Sequence, residues 1–560
     1  MKYIIPLLIT LLFLIGCARQ TSPTGGPKDT IPPKLVSSSP INEQTNFSSK
    51  TVTLDFTEQV NLNSAKEQVI ITPSIGKDYE ITAKKKTVVI HINTELDPNT
   101  TYNINFRDAV QDITEKNPVR DLKLAFSTGE YIDSLTITGK VVDLITNKEI
   151  KDATVALQHT WADTMSIMKH PSFYFTKTND KGEFKIDYVK PGIYQLYAYQ
   201  DKNKNLIVDP RNEGYAFIAK PLDFQNDTSK ILLKIIHLDT RQLKLTSARP
   251  YNTYFNLKTT KNIRDYKITS TEDISSWYGE DRSNIRVYNT FKSLDSLQIR
   301  LTATDSSGSS LDTTLYAKFR QDPDIDPDKF TMSLTETSIT ARTGQIKIKY
   351  IFNKPVSSFN LDSIYYKKDT LTTIRFNSQD VNWDPLANAF TITKTVDKNI
   401  FLIPETDPSA APSKKQDTTT QIKPINELHT RKGAFISVEG DTSASLKQTL
   451  KPSQPSELSE IFYDVRSKKK NILIQLLTKD FKLIRQTNNS LKGSFSDLPA
   501  GDYIIRYVVD TNNNGQLDFG NYLDKKEPEP VYYSTDPKGS LPQTLKANWE
   551  LELAPMLISD

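Results

Sequence analysis

Residues 51–60 read TVTLDFTEQV, and in this stretch Val52, Leu54 and Phe56 alternate with polar side chains. Successive side chains of an extended chain face opposite sides, so these three side chains share one face. The stretch TVVIHI at 87–92 alternates in the same way. The pattern predicts strands with one buried and one solvated face. It recurs along the chain, and we therefore expect an all-β protein.

The length and charge of the chain limit the class of protein to which it can belong. At 560 residues the chain exceeds the size that one hydrophobic core supports, and several small β domains fit it better. The net charge is +4, from 71 basic and 67 acidic residues. This near balance argues against a nucleic-acid partner.

Residues 1–17, MKYIIPLLITLLFLIGC, have the features of an export signal. Lys2 precedes an apolar stretch that is too short to span a bilayer as a helix. The closing motif LIGC resembles the lipobox of bacterial lipoproteins. The resemblance implies a signal peptide at 1–16, fatty acylation of Cys17 and a polar tether at 17–29. Buried acyl chains would anchor the protein to a membrane.

The residues around Cys17 bear on compartment and redox chemistry. Cys17 is the only cysteine, so the folded part holds no disulfide and no Cys-ligated zinc. Ala18 follows it instead of the Asp that retains some lipoproteins in the inner membrane. The chain resembles lipoproteins of the Bacteroidota, and we expect the outer membrane. The absence of an acidic cluster after Cys17 favours the periplasmic face over the cell surface.

Residues 30–129 begin near Pro32-Pro33 and contain the LDFTEQV strand, an L-x-P-x-T-x-Y turn at 96–102 and a closing FSTG. With these features the segment resembles the SbsA type of bacterial Ig-like domain. It implies a spacer or adhesion fold.

Residues 130–240 are similar to carboxypeptidase-regulatory-like domains, which are small transthyretin-like sandwiches. Gly139, the TNDKGEF turn at 178–184 and Pro191-Gly192-x-Tyr194 carry this similarity, which implies no peptidase chemistry. The second half of the chain repeats the pair, because KGSFSDLPAGDYIIRYVVDTNNNGQLD at 492–518 echoes the sequence after residue 182. We therefore predict tandem Ig-like and transthyretin-like β-sandwiches at 30–129, 130–240, 241–322, 323–455 and 456–560, with a low-complexity loop at 404–424.

Two loops have the residue types and spacing of a calcium site. DTNNNGQLD at 510–518 places side-chain oxygens at alternate positions before a glycine turn. The sister loop at 201–209 has Leu206 in place of that glycine, and Asn521 stands where an EF-hand has its bidentate Glu. Calcium and an Asx-rich turn that caps its own backbone both fit this pattern. The candidate ligands are Asp510, Asn512, Asn514, Gln516 and Asp518 and, for a weaker site, Asp201, Asn203, Asn205 and Asp209.

A recurring Asp-Ser or Asp-Thr pair resembles the O-glycosylation site of Bacteroidota envelope proteins. A small or apolar residue follows each pair, and chance in a chain rich in Ser, Thr and Asp also accounts for the pattern. The candidate positions are Thr30, Ser134, Thr164, Ser296, Thr313, Ser363, Thr370 and Thr418.

The motifs indicate a binding protein without catalysis. The five histidines are scattered and form neither an H-x-H nor an H-E-x-x-H motif. We expect a scaffold that holds other envelope proteins through strand edges and loops, with its modules in series as a rod or curved arm. An envelope hydrolase with an unrecognised carboxylate site is one alternative.

A carbohydrate-binding lipoprotein of a glycan-uptake system is the other alternative. It requires a platform of exposed aromatic side chains. The candidates are Trp161, Trp277, Trp383 and Trp549, although a place in a sandwich core is the favoured role for each.

Overall fold

The computed structural model describes residues 29–558 except 160–166, 210, 240, 252, 291–295, 320–327, 386, 403–423 and 523. Nearly all regular structure in the described residues is β-strand. The predicted all-β class with tandem β-sandwiches is therefore confirmed. Within the described part of the chain, no helix has the length and apolar character needed to cross a membrane.

The first sandwich is built around the strand that decides the fold. Its helix α1 is Ala65–Gln68, and its strands are β1 Leu35–Ser39, β2 Thr51–Phe56, β3 Val60–Leu62, β4 Ile70–Thr72, β5 Tyr79–Lys84, β6 Thr87–Ile92, β7 Thr101–Asn105, β8 Val110–Asp112 and β9 Lys123–Ser127. β2 buries Val52, Leu54 and Phe56, as the alternation predicts. The strand orders are β1-β2-β6-β5, β4-β7-β9 and β3-β8.

The second sandwich pairs its first and last strands in parallel. Its strands are β10 Leu135–Asp143, β11 Thr154–His159, β12 Tyr174–Lys177, β13 Glu183–Val189, β14 Gly192–Tyr199, β15 Tyr215–Phe217, β16 Leu222–Phe224 and β17 Thr228–Ile235. The strand orders are β13-β10-β17 and β12-β11-β14-β15, and β16 also pairs with β14. A Cβ on Gly139 would lie 2.2 Å from Ile231 O and 2.7 Å from the Phe184 ring. Only glycine therefore permits this approach of β10 to its neighbours.

The third sandwich has two sheets, and an edge strand of each lies beside the fourth sandwich. Its strands are β18 Leu245–Pro250, β19 Tyr254–Thr259, β20 Asp265–Ser270, β21 Ser275–Tyr278, β22 Asn284–Tyr288, β23 Ser296–Thr304 and β24 Ser310–Lys318. The strand orders are β18-β19-β22-β21 and β20-β23-β24, so β20 and β21 are edge strands.

The fourth sandwich repeats the strand order of the first. Its strands are β25 Met332–Thr340, β26 Gln345–Phe352, β27 Val356–Phe359, β28 Ile364–Lys367, β29 Thr373–Arg375, β30 Val381–Asp384, β31 Ala389–Thr395, β32 Glu427–Thr430, β33 Phe435–Ser437 and β34 Leu446–Thr449, and its 3-10 helices are Leu361–Ser363, Ser378–Asp380 and Lys398–Ile400. The orders β25-β26-β31-β30, β29-β28-β32-β34 and β27-β33 match those of the first sandwich strand by strand, with β29 added.

The fifth sandwich repeats the strand order of the second. After a 3-10 helix at Pro455–Glu457, its strands are β35 Leu458–Ser467, β36 Ile472–Thr478, β37 Leu483–Asn488, β38 Lys492–Pro499, β39 Gly501–Val509, β40 Val531–Tyr533, β41 Gln543–Leu545, β42 Glu550–Glu552 and β43 Met556–Ile558. The orders are β38-β35-β42 and β37-β36-β39-β40. Both β42 and β43 pair in parallel with β35, as β17 does with β10.

The second and fifth sandwiches pack against each other. One hydrophobic cluster takes Tyr197 and Tyr215 from the second sandwich and Leu473 and Val508 from the fifth. Tyr533 of the fifth sandwich donates a hydrogen bond to Ile145 O of the second. The predicted rod of modules in series is therefore wrong, because the chain folds back on itself. A sheet whose outer face is apolar gains stability when a second sheet covers that face.

The junction of the first and second sandwiches is held partly by charge. Lys123 Nζ of β9 lies 2.9 Å from Asp187 Oδ2 of β13, and Lys185 Nζ lies 2.8 Å from the other carboxylate oxygen. Burial acts to raise the pKa of Asp187, but the hydrogen bonds from Lys123 and Lys185 outweigh it and hold that pKa below its usual value.

We expect this carboxylate to make the junction sensitive to acid. A depressed pKa in the folded state adds stability above the unfolded pKa of about 4, and that stability is lost as the pH falls through the folded value. Asp187→Asn should therefore unfold with less pH dependence than the wild type below pH about 4. Thermal unfolding across this range measures the difference. Asp180→Asn, at an exposed pair with Lys151, is the control with a smaller effect, and parallel curves for Asp187→Asn and the wild type would contradict the prediction.

Candidate functional site

Several predicted sites fall outside the described residues. They are Cys17, Trp161, Thr164, Thr418 and all but the last residue of the loop at 404–424. Among the other O-glycosylation candidates, Thr30, Ser134, Ser296 and Thr370 are exposed, and Thr313 and Ser363 are half-buried. Glycosylation at these positions stays a prediction.

The loop at 510–518 closes on its own backbone. Asp510 is 2% exposed, and its two carboxylate oxygens accept hydrogen bonds from Asn514 N at 3.0 Å and Gly515 N at 2.8 Å. Asn512 Oδ1 accepts from Asn514 N, and Asn514 Oδ1 accepts from Gln516 N. These are the hydrogen bonds of Asx turns.

The sister loop at 201–209 has the same hydrogen bonds. Asp201 accepts from Asn205 N at 3.1 Å and from Leu206 N at 3.0 Å, and Asn203 Oδ1 also accepts from Asn205 N. Leu206 has φ +60°, where Gly515 of the first loop has φ +75°. The missing glycine therefore does not change the turn, although it places a leucine in the left-handed region.

Two buried glutamates that sequence reasoning missed hold these loops in place. Glu529 accepts from Thr511 N at 2.6 Å and from Asp518 N at 3.0 Å. Glu213 likewise accepts from Lys202 N and from Asp209 N, both at 2.8 Å. The described residues contain no cluster of three His, Cys, Asp or Glu side chains suited to a metal ion. Calcium binding at either loop stays a prediction.

Of the three tryptophans that the structure describes, two lie outside the cores, so the predicted core role is wrong for these two. Trp549 is 45% exposed. Trp277 is half-buried, but it belongs to no hydrophobic cluster in the described part of the chain. Trp383 packs partly against the core of the fourth sandwich. Trp277 and Trp383 line one groove between the third and fourth sandwiches.

This aromatic groove, defined by Tyr266, Trp277, Tyr278, Trp383 and the residues beside them, has a volume of about 700 Å³. Tyr266 lies on edge strand β20, and Trp277 and Tyr278 lie on edge strand β21. The Tyr278 ring packs edge-on against two neighbours, with ring centroids 5.1 Å apart for Tyr266 and 5.3 Å apart for Trp277. Pro355, Val356 and Trp383 of the fourth sandwich form the facing wall.

Three of the four charged side chains that line the groove are cationic. Arg264 lies between two carboxylates, with Nε 2.8 Å from Asp265 Oδ2 and Nη1 3.6 Å from Asp518 Oδ1, so its charge is offset. The Arg282 guanidinium lies 5.0 Å over the Tyr278 ring, a cation–π contact, and Lys267 is exposed. Burial raises the pKa of Tyr266 to about 12, against the opposite effect of a hydrogen bond with the Ser276 side chain.

Asn388 closes the floor of the aromatic groove. It is 1% exposed, and its Nδ2 donates to Phe352 O at 3.0 Å and to Lys354 O at 2.8 Å. Its Oδ1 has no hydrogen-bond partner among the described residues. This oxygen is itself buried, so its unmade hydrogen bond is a local cost to the fold and not a contact point for a ligand.

The comparisons with known proteins identify two modules. Residues 29–128 match the bacterial Ig-like domain. The match supports an Ig-like domain over this part of the chain. Residues 139–208 match domain II of polysaccharide lyase family 4, an fn3-like domain. The transthyretin-like resemblance of residues 130–240 stays a prediction. No curated protein sequence matches the chain.

Several solved structures resemble the chain loosely. The Bacillus anthracis TIE protein is 9% identical, with 96% of this chain and 76% of that chain covered and a TM-score of 0.13. BcpA, the major pilin subunit of Bacillus cereus, is 10% identical over 76% of this chain and 99% of its own, with a TM-score of 0.12. SGBP-B of the Bacteroides ovatus mixed-linkage glucan utilization locus, in complex with a mixed-linkage heptasaccharide, is 12% identical. The match covers 66% of this chain and 85% of that chain, with a TM-score of 0.15. Scores this low carry no argument about function.

Proposed function

We propose that this chain is a non-catalytic scaffold of the outer membrane, anchored by lipid on Cys17, that holds other envelope proteins. The bacterial Ig-like domain at 29–128 and the repeated sandwiches support a binding role. Sandwiches present loops and strand edges, which are the surfaces that protein partners use.

The packing of the second sandwich on the fifth is the observation that carries the proposal. Polar bonds flank the shared hydrophobic cluster, because Ala219 N donates to Glu527 Oε1 at 2.8 Å and Lys234 Nζ donates to Val531 O at 2.8 Å. The third and fifth sandwiches also touch, where the Asn521 side chain donates to Ser307 O at 2.8 Å. Contacts between sandwiches that are distant in sequence hold the binding surfaces at fixed separations. This arrangement preorganises those surfaces for a partner.

The anchor is tested by a single substitution. Cys17→Ser removes the thiol that takes the lipid, so we expect the chain to leave the membrane pellet and appear in the soluble envelope fraction. Labelling with a fatty-acid analogue should mark the wild type and not the variant. Ala18→Ser, next to the thiol, is the matched control that keeps both label and membrane association. A Cys17→Ser chain that stays in the pellet would contradict the lipid anchor.

The scaffold role is tested by crosslinking in living cells. We expect wild type and Ala18→Ser to form a crosslink with an outer-membrane barrel or assembly factor, and Cys17→Ser to form much less of it. Recovery of the chain alone from wild-type cells would overturn the proposed function.

A further inference from the structure

We infer that the aromatic groove between the third and fourth sandwiches is a binding site for a carbohydrate chain that carries acidic groups. This goes beyond the proposed scaffold role, which does not depend on it. No family match covers the residues that form the groove.

The aromatic side chains give the groove the surface that a sugar ring requires. A pyranose presents flat faces of C–H bonds, which pack on aromatic faces, and edges of hydroxyl groups, which need polar partners. Trp277 and Trp383 offer indole rings from two different sandwiches to the same groove. Trp277 packs into no core of the described residues, so core packing does not explain an indole at this position. Grooves with apolar walls and a few placed polar groups are typical ligand sites.

The polar groups of the groove match the edges of a sugar. Ser275, Lys267 and Arg282 line the groove beside the aromatic rings. Their hydroxyl, ammonium and guanidinium groups can form hydrogen bonds with the hydroxyl groups of a sugar. Placed hydrogen-bond groups of this kind are what fix the orientation of a ligand in a site.

The charges of the groove favour an acidic glycan over a neutral one. Of the four charged residues that line it, Arg264 is offset by Asp265 and by Asp518 of the fifth sandwich, which leaves Lys267 and Arg282 without an ion pair in the lining. Arg282 is exposed, and the Tyr278 ring under its guanidinium holds it over the groove. A guanidinium recognises a carboxylate with two parallel hydrogen bonds.

An extended peptide fits the groove less well, even though β20 and β21 are edge strands. The Tyr278 hydroxyl donates to Arg264 O at 3.2 Å, and the Tyr266 and Tyr278 rings meet between the two strands. Side chains thus bridge the gap between the edges, and a ligand meets rings before it meets free backbone groups. Strand addition requires those backbone groups.

The test is titration calorimetry on the full chain in detergent, with oligogalacturonate and alginate as acidic probes and dextran as the neutral probe. We expect both acidic probes to bind at least about tenfold more tightly than dextran. Trp277→Ala should weaken acidic binding by about tenfold or more, since aromatic anchors dominate such sites. Trp549→Ala removes an exposed indole outside the groove and should stay within about twofold.

A second pair of variants separates charge from packing. Arg282→Gln should reduce binding of oligogalacturonate to that of dextran, while Arg300→Gln, at an exposed ion pair with Asp312, should leave it unchanged. Thermal unfolding confirms that each variant is folded. The inference is overturned if neither acidic probe binds at millimolar concentration, if dextran binds as tightly as they do, or if Trp277→Ala and Arg282→Gln bind like the wild type. Failure here leaves lipid anchoring and partner crosslinking untouched, so it is distinguishable from failure of the scaffold proposal.

Discussion

Replacing Tyr522 with alanine is expected to open the contact between the second and fifth sandwiches. The Tyr522 ring lies 6.0 Å from Tyr197, 6.4 Å from Tyr215 and 5.5 Å from Phe217, so it sits among three aromatic rings of the other sandwich. Removing a packed aromatic side chain costs about 3 kcal/mol, from lost burial and the cavity left behind. Each sandwich keeps its own core, so we expect the interface to yield first.

Small-angle scattering measures the opening of this contact. The Tyr522→Ala chain should show a larger radius of gyration than the wild type, and denaturant unfolding should show an early transition. Tyr316→Ala is the matched control, because Tyr316 is 60% exposed on the third sandwich and should change neither quantity. Identical scattering for Tyr522→Ala and wild type would contradict a closed frame in solution.

Lys354→Met is expected to lower the free energy of unfolding of the fourth sandwich strongly. Lys354 is 1% exposed, and its Nζ lies 2.5 Å from both Glu439 Oε2 and Asp441 Oδ2. Removing the cation leaves two poorly solvated carboxylates without their partner, which costs about 3–5 kcal/mol. The free energy of unfolding in denaturant measures the loss.

Two further variants make this prediction specific. Lys349→Met removes a half-buried lysine whose Nζ lies 3.4 Å from Glu336 Oε1, and it should cost less than about 1 kcal/mol. Lys354→Met combined with Glu439→Gln and Asp441→Asn removes all three charges and should recover most of the loss. Equal losses for the single variant and the triple variant would show that packing, and not charge, accounts for the effect.

The individual sandwiches were predictable because their strands alternate. Val52, Leu54 and Phe56 are buried where the period of two places them. The echo between residues after 182 and residues after 492 likewise corresponds to two sandwiches with the same strand order. These features depend on neighbours that are close in sequence, and local patterns report such neighbours well.

The fold-back between sandwiches was missed, although the sequence holds a signal for it. β36 is buried at six of its seven positions and β39 at seven of its nine, so both faces of these strands are covered. Continuous apolar runs such as ILIQLL are typical of such strands, whereas one-sided strands alternate. The sequence alone does not indicate which part of the molecule packs on the second face of these strands.

The position of the aromatic groove between two sandwiches was also not predictable from the sequence. Its walls come from β21 and from Trp383, which belong to different sandwiches about a hundred residues apart. The favoured core role of Trp277 followed the general behaviour of indoles in small sandwiches. At this position the ring lines a space between two domains, which depends on how the domains sit together.

The contact between the second and fifth sandwiches joins Ile145 to Tyr533 across 388 positions of sequence. Domains near the N-terminus of a chain tend to fold before later ones. In a chain exported as proposed, the second sandwich reaches the far side of the membrane before the residues that cover its aromatic face. Until those residues arrive, Tyr197, Tyr215 and Phe217 form an uncovered apolar surface that favours aggregation.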